Sequence, residues 1–329
     1  MMLINNESGR DNSNVIFQFL RRKFLASNCK FTFGDIFHCI FVKADSFIFL
    51  NPSVFWMPII LFTKILGKKN INLALEHEAI SYLNGQNFFT KFLFDKVITY
   101  RTNNLVENEV SVQWPALEPD LEFKSNSAEN LMRRRFICML AGNKSSYSNG
   151  ENYQLRQKIW KIIFQKYPNE VSLFGLGWSN FPSNVDYHFF KRAHHYIKFL
   201  SLKIKGRKLH QFDAEYLRCK TTLANQYRFC IAIENFRSPD GWATEKIFDA
   251  LKIGSIPVVI DPTITGCETF CVLIDTNYSL EGQIENLYNL DEKELRKFRE
   301  NGVKFLHNCM KNDNFTYNQL FEVIKFIAI

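Results

Sequence analysis

Residues 228–262 read RFCIAIENFRSPDGWATEKIFDALKIGSIPVVIDP, and this stretch leaves the chain little freedom in fold. Positions 229–233 are apolar enough for a buried strand, and 234–243 carry the Asn, Ser, Pro, Asp and Gly of a loop. Thr244 stands at the N-cap position of a helix whose Ile247, Phe248, Ala250 and Leu251 share one face until Gly254. Positions 256–260 form a second apolar strand. Strand, loop, helix, strand is the βαβ unit of a parallel sheet, and open parallel sheets bind ligands outside the carboxyl ends of their strands. Glu234, Glu245 and Lys246 fall at that end, beside a helix N-terminus whose free N–H groups favour an anion. Spacing alone equally permits an ordinary βα turn with a solvated Glu-Lys pair.

The polar residues narrow the choice. IENFRSPDGWATEKIFDALKIGSIPVVI resembles the signature of the GDP-fucose-using α-1,3/1,4-fucosyltransferases, glycosyltransferase family 10, bacterial type. That signature has a Phe-Glu-Asn-Ser start, a short variable loop, an aromatic, Thr-Glu-Lys, an amphipathic helix and a Pro-Val-Val strand. The order of elements resembles the family over residues 136–300 and only faintly before that. The resemblance implies an α/β fold of two Rossmann-like domains facing across a cleft, the glycosyltransferase-B (GT-B) arrangement. It also implies that Glu234 supports the positive charge forming on the donor sugar. Trp242 is expected to stack on base or sugar, with Thr244 and Glu245 at the nucleotide and Lys246 at the departing diphosphate. Arg237, which the usual Glu-Asn-Ser start lacks, adds a cation at the sugar end. Asp261-Pro262 follow the second strand where the family commonly has Gly.

The rest of the chain is compatible with this. Its 329 residues exceed what one core usually organises, and 46% apolar with 22% charged residues is a globular composition. The net charge of +8 permits nucleic acid as a partner, but no nucleic-acid-binding motif accompanies it. An anionic lipid surface or a nucleoside diphosphate suits the charge better. The eight cysteines lie mostly in apolar runs without zinc-site spacing and read as free thiols of a reducing compartment. The polar start lacks a signal-peptide pattern, and the apolar run 55–66 is too short to span a bilayer. The expected location is the cytoplasm or the inner face of its membrane.

In the first half, residues 14–26 carry a helical apolar stripe. Strands are expected at 46–50, 72–75, 94–100 and 110–114, with a helix over 55–66. ALEHEAI at 74–80 places Glu76 and Glu78 just past a strand, where a carboxylate could take a proton from a sugar hydroxyl. Two ordinary loop acids are the competing reading. The family resemblance implies the general base at Glu76 with Glu78 as its neighbour, and His77 is a third candidate because imidazole titrates near working pH. Residues 117–131 read as a linker, dividing an acceptor-side domain, 1–125, from a donor-side domain, 126–329.

In the second half a strand at 133–140, a long Gly/Asn loop and a helix follow, with Leu155, Ile159, Ile162 and Ile163 on one face. The resemblance implies that Arg156, early on this helix, reaches the donor diphosphate, a task its planar fork suits. The loop 144–152 is lengthened and is expected near the acceptor. VSLFGLGW at 171–178 reads as a strand ending in glycines near the nucleotide. The basic run 191–208 is foremost a solvated face, with contact to anionic lipid as the alternative. His194 and His195 lack partners at metal spacing. The tail gives a strand through CVLI and one or two helices, expected to pack back toward the first domain.

The expected activity is therefore inverting transfer of L-fucose from GDP-fucose. The acceptor is a hydroxyl of an N-acetylglucosamine- or glucose-containing glycan, such as a surface polysaccharide or lipopolysaccharide, linked α-1,3 or α-1,4. No tightly bound cofactor or divalent metal is expected, because no Asp-x-Asp motif sits beside the phosphate residues. A family-10-like transferase using another nucleotide sugar is the alternative, and a non-enzymatic protein binding anionic glycan or lipid is a weaker one.

Overall fold

The computed structural model describes residues 2–4, 15–27, 32–34, 43–78, 81–118, 131–142, 146, 149–174, 223, 225–237, 243–261 and 264–328. Two parallel sheets organise them. The first contains β1 (Met2–Ile4), β2 (Thr32–Gly34), β3 (Ser46–Leu50), β4 (Lys69–Ala74), β5 (Lys96–Thr99) and β6 (Glu109–Ser111), in the order β2-β1-β3-β4-β5-β6. The second contains β7 (Arg135–Leu140), β8 (Val171–Phe174), β9 (Tyr227–Ile231), β10 (Ile256–Val259) and β11 (Val272–Leu273), in the order β11-β10-β9-β7-β8. Each is the core of a Rossmann-like lobe.

The second lobe follows from its apolar runs. A parallel strand covered on both faces must be apolar throughout, and β7, β9 and β10 are buried almost end to end. Helix α4 (Tyr153–Lys166) lays Ile159, Trp160 and Ile163 onto one face of this sheet, where Phe136 and Phe229 meet edge-on at 5.8 Å. Each such side chain contributes about 1.5–3 kcal/mol by leaving water. Helix α5 (Glu245–Lys252) buries Ile247, Phe248, Ala250 and Leu251 on the opposite face. Gly254 ends it with φ +81°, and a Cβ there would stand 2.2 Å from the Asn225 side chain, so only glycine fits.

In this sheet β8 lies on one side of β7 and β9 on the other, with Cys138 opposite Cys230 and Met139 opposite Ile231. The strand order therefore reverses between β7 and β9, and the carboxyl ends of these two strands bound a crevice. Glu234 follows β9 there. The first sheet reverses in the same way between β1 and β3, and Glu76 follows β4 one strand away.

Several elements differ from the sequence expectation. Strands β1 and β2 and helix α3 (Phe88–Leu93) were not anticipated. The short strands have too few residues to show a period, and the Gly/Asn approach to α3 reads as loop until Asn87 is seen accepting a hydrogen bond from the Thr90 N–H. β4 begins three residues earlier than expected, because the Asn70 amide is buried and satisfied. It donates to the carbonyls of Ile60 and Leu93 and accepts from the Thr63 hydroxyl. β6 stops at Ser111 rather than continuing to 114. Residues 55–66 begin as a short 3-10 turn and become helix α2 (Met57–Ile65).

After helices α6 (Leu280–Tyr288) and α7 (Glu292–Lys311), a last helix not anticipated, α8 (Tyr317–Ala328), crosses to the first lobe. There Leu320, Phe321 and Ile324 pack with Phe19, Leu20 and Phe24 of helix α1 (Val15–Ala26). At the crossing, Phe315 O accepts from the N–H groups of Ala116 and Leu117, and Tyr317 N–H returns a bond to Leu117 O. The chain thus passes between the lobes twice at one place. Among the described residues, the cysteines at 138, 230, 267, 271 and 309 are buried and free.

Candidate functional site

The loop after β9 turns its first side chain into a compact polar knot. The Glu234 carboxylate accepts from the backbone N–H of Thr244 at 2.8 Å, from the Thr244 hydroxyl at 2.7 Å and from the Lys246 ammonium at 3.0 Å. Thr244 holds the N-cap position, but its side chain does not cap the helix; it bonds Glu234 instead. The anion favoured by the α5 N-terminus is thus the chain's own Glu234. Lys246 also meets Glu245 at 3.3 Å, and its side chain is 13% exposed. Burial alone would discourage its charge, but the fields of Glu234 and Glu245 more than offset this and hold its pKa above the ordinary lysine value.

Arg156 lies beneath this knot, buried on the first turn of α4. Its Nε donates to the Ile233 carbonyl at 3.0 Å, and one terminal nitrogen reaches that carbonyl and the Asn235 amide oxygen. Burial lowers its pKa, with Glu234 opposing. The guanidinium so braces the strand end that carries Glu234. Asn152 assists by donating to the Glu234 carbonyl at 3.1 Å, and Arg237 N–H donates to the Gly150 carbonyl at 2.8 Å, joining the 149–152 loop to the 234–237 loop. The Arg237 side chain is half exposed and pairs with Asp261 at 3.3 Å. Trp242, the basic run 191–208, His194 and His195 lie outside the described residues.

Glu76 and its neighbours approach from the first lobe. Asn51, in the left-handed region at φ 43°, accepts through its amide oxygen from the N–H groups of Leu75 and Glu76, which fixes the turn after β4. The His77 ring then stacks on Phe236 of the second lobe at 5.1 Å and lies near Tyr100. Phe236, Tyr100 and Tyr153 form a small buried cluster between the lobes. Burial raises the pKa of the Tyr153 phenol; Arg156 opposes this, Glu76 adds to it and Lys246 opposes it again. One phenol therefore feels both Glu76 and Lys246, so the two sequence-selected regions share one electrostatic neighbourhood.

Glu78 occupies a different setting. Its Oε2 accepts from Arg101 at 2.9 Å, and the same guanidinium bonds the buried Glu109 at 3.2 Å and the Asn84 carbonyl at 3.0 Å. Sequence reasoning missed Arg101, although a cation just past a parallel strand was the available signal. Beside it opens a cavity of about 640 Å³ lined by His77, Glu78, Tyr82, Gln86, Arg101 and Asn149, the last from the second lobe. Its walls offer amides, a carboxylate, a guanidinium and an aromatic ring, chemistry suited to a polyhydroxylated ligand. Among the described residues no group of three or more His, Cys, Asp or Glu could hold a metal ion, and no helix is long and apolar enough to cross a membrane.

Comparison with known proteins agrees with this architecture. The model of the glycosyltransferase family 10 (fucosyltransferase) C-terminal region matches residues 176–273, which include the Glu234–Lys246 knot. No curated protein matches the chain. Among solved structures, one described as trehalose-6-phosphate from E. coli bound with UDP-2-fluoro glucose aligns with TM-score 0.50 and 8% identity, over 89% of this chain and 76% of that one. A trehalose-6-phosphate synthase studied with bisubstrate glycomimetics aligns equally well, with TM-score 0.50, 8% identity and the same coverage. Two parallel-sheet Rossmann-like lobes with the polar site between them make this a GT-B fold, with its family-10-like segment in the second lobe.

Proposed function

We propose that this chain is a family-10-like glycosyltransferase that moves a sugar from a nucleotide donor to a glycan hydroxyl with inversion. The observation that carries the reading is the Glu234–Thr244–Lys246 knot, which lies at the strand-order reversal of the second sheet and inside the matched segment. In this reading residues 126–329 hold the donor and residues 1–125 the acceptor, with the C-terminal helices packing back toward the acceptor side. Glu76 takes the proton of the acceptor hydroxyl, the freed oxygen attacks the anomeric carbon, and the bond from that carbon to the diphosphate oxygen breaks. Glu234 faces the positive charge forming on the sugar.

Lys246 and Arg156 supply positive potential for the departing diphosphate, and Arg237 adds to it at the sugar end. In the structure these cations are engaged by Glu234, Glu245, Ile233 O and Asp261. A bound diphosphate would compete with those acceptors. Trp242 stacks on the base or sugar, Thr244 and Glu245 bond the nucleotide, and the transfer needs no divalent ion. Glu78 serves the acceptor wall through its bridge to Arg101.

The donor is stated at the level of nucleotide sugar. The family-model match, described as fucosyltransferase, supports a fucosyl donor. The E. coli structure was obtained with a UDP-sugar analogue, and its shared fold supports the broader reading of another nucleotide sugar. The test is release of nucleoside diphosphate from a panel of GDP-fucose, GDP-mannose, UDP-glucose and UDP-N-acetylglucosamine, each with Mn²⁺ and with chelator. Turnover of one donor, undiminished by chelator, is expected. Thermal stabilisation by none of the corresponding diphosphates, with no turnover, would leave a glycan- or lipid-binding role as the better account. Activity only with Mn²⁺ would remove the metal-free mechanism.

A further inference from the structure

The first lobe carries an apolar surface that the transfer reaction does not use. Helix α2 buries Ile60 and Thr63 against the sheet, and its outward stripe, one to two turns long, is Pro58, Leu61, Phe62 and Ile65. An amphipathic helix normally keeps polar residues on that side. Ile65 is 74% exposed, and Phe55 just before the helix is 72% exposed. The neighbouring α3 repeats the inversion: Thr90 and Leu93 point inward, while Phe88, 74% exposed, Phe89 and Phe92 point outward. Phe88 and Phe92 stack on each other at 6.1 Å instead of entering the core. The Asn70 amide bonds a carbonyl of each helix, so both are fixed side by side. Single exposed apolar residues are ordinary, but two adjacent helices with apolar outer faces form a contact surface.

The charges name the partner. Residues 53–75 and 79–94 contain Lys64, Lys68, Lys69 and Lys91 and no Asp or Glu; the flanking Asp95 and Asp45 pair with Lys64 and Lys68 at 3.1 and 3.7 Å, and Lys43 and Lys96 beside them keep the margin net positive. Apolar rings bordered by lysines suit the boundary between acyl chains and anionic headgroups, where rings enter the lipid and ammonium groups stay in the headgroup layer. The nine-residue α2 is far too short to span a bilayer, so it would lie in the interface. We propose that the α2–α3 face docks this protein on an anionic lipid bilayer. Asn87, which caps α3, and Tyr82, whose carbonyl accepts from Asn87, also line the cavity between the lobes, so the docked face and the cavity share a rim. Delivery of a lipid-linked acceptor across that rim rests on the acceptor reading of the cavity; the docking itself does not.

The test is co-sedimentation of the full chain with phosphatidylcholine vesicles, with and without phosphatidylglycerol, at low and high salt. The wild type is expected to bind the anionic vesicles and to release as salt rises. F62D combined with F88D should weaken this partition by at least roughly tenfold, because both rings would leave lipid and two negative charges would enter. Both positions are exposed, so thermal unfolding should be unchanged; F55S combined with F92S provides a gentler variant if it is not. Absent binding by the wild type, or equal binding by the variants, overturns the proposal. A wild-type dimer that the variants dissociate, without vesicle binding, also overturns it and assigns the face to a second copy. Diphosphate release on a soluble acceptor, measured in parallel, separates failure of docking from failure of the transferase reading.

Discussion

Replacing Lys246 with Met removes the cation at the centre of the donor-lobe knot while keeping a flexible apolar stem. The ammonium and the Glu234 carboxylate are both 13% exposed and 3.0 Å apart, so neither recovers full hydration when the other is lost. Breaking a buried pair costs about 3–5 kcal/mol. Glu234 keeps its bonds from the Thr244 N–H and hydroxyl, and Glu245 is more exposed, so we expect the lower end of that range, about 3 kcal/mol. In a lobe of this size that lowers Tm by roughly 2–4 °C per kcal/mol. Adding Glu234→Gln to Lys246→Met should recover part of the loss, because it removes the stranded charge; additive losses would refute this account. Calorimetry of the four proteins measures it. The pH dependence has a definite sign. The folded pKa of Lys246 lies above its ordinary 10.5, so its contribution is complete below that value and is lost only as pH rises through the raised pKa. The deficit of the Met variant should therefore be flat from neutral to mildly alkaline pH. A deficit that vanished between neutrality and the ordinary lysine pKa would refute the pairing as its source.

Three other substitutions address the other lobe. Glu76→Gln should lower turnover by roughly 10²–10⁴-fold with diphosphate affinity nearly unchanged, and Glu78→Gln should cost less; initial rates with calorimetric titration decide, and a larger loss at Glu78 moves the base there. Phe321→Ala, in the buried helix that returns to the first lobe and packs edge-on to Phe24 at 4.8 Å, should destabilise that lobe by about 3–5 kcal/mol in urea unfolding.

What the sequence determined by itself was the second lobe's order of strands and helices and the residues that gather where its strand order reverses. Continuous apolar strands and the helical period of Ile247, Phe248 and Leu251 are local signals, legible because each acts within a few residues. The ordered Glu234, Thr244, Glu245 and Lys246 pointed to one site for the same reason. Partner choice among those residues was not local. The sequence suggested Arg156 and Lys246 as cations facing a ligand, whereas the tertiary structure engages the first with Ile233 O and the second with Glu234. Those partners lie 77 and 12 positions away, and no pattern along the chain encodes that distance. The same holds for Arg101 gathering Glu78 and Glu109, for the His77 ring stacked across the lobes on Phe236, and for α8 completing the first core. Three-residue strands such as β1 and β2 carry too little period to be read. They exist because β1 is paired by β2 and β3 and β2 by β1, a condition that only the assembled sheet supplies.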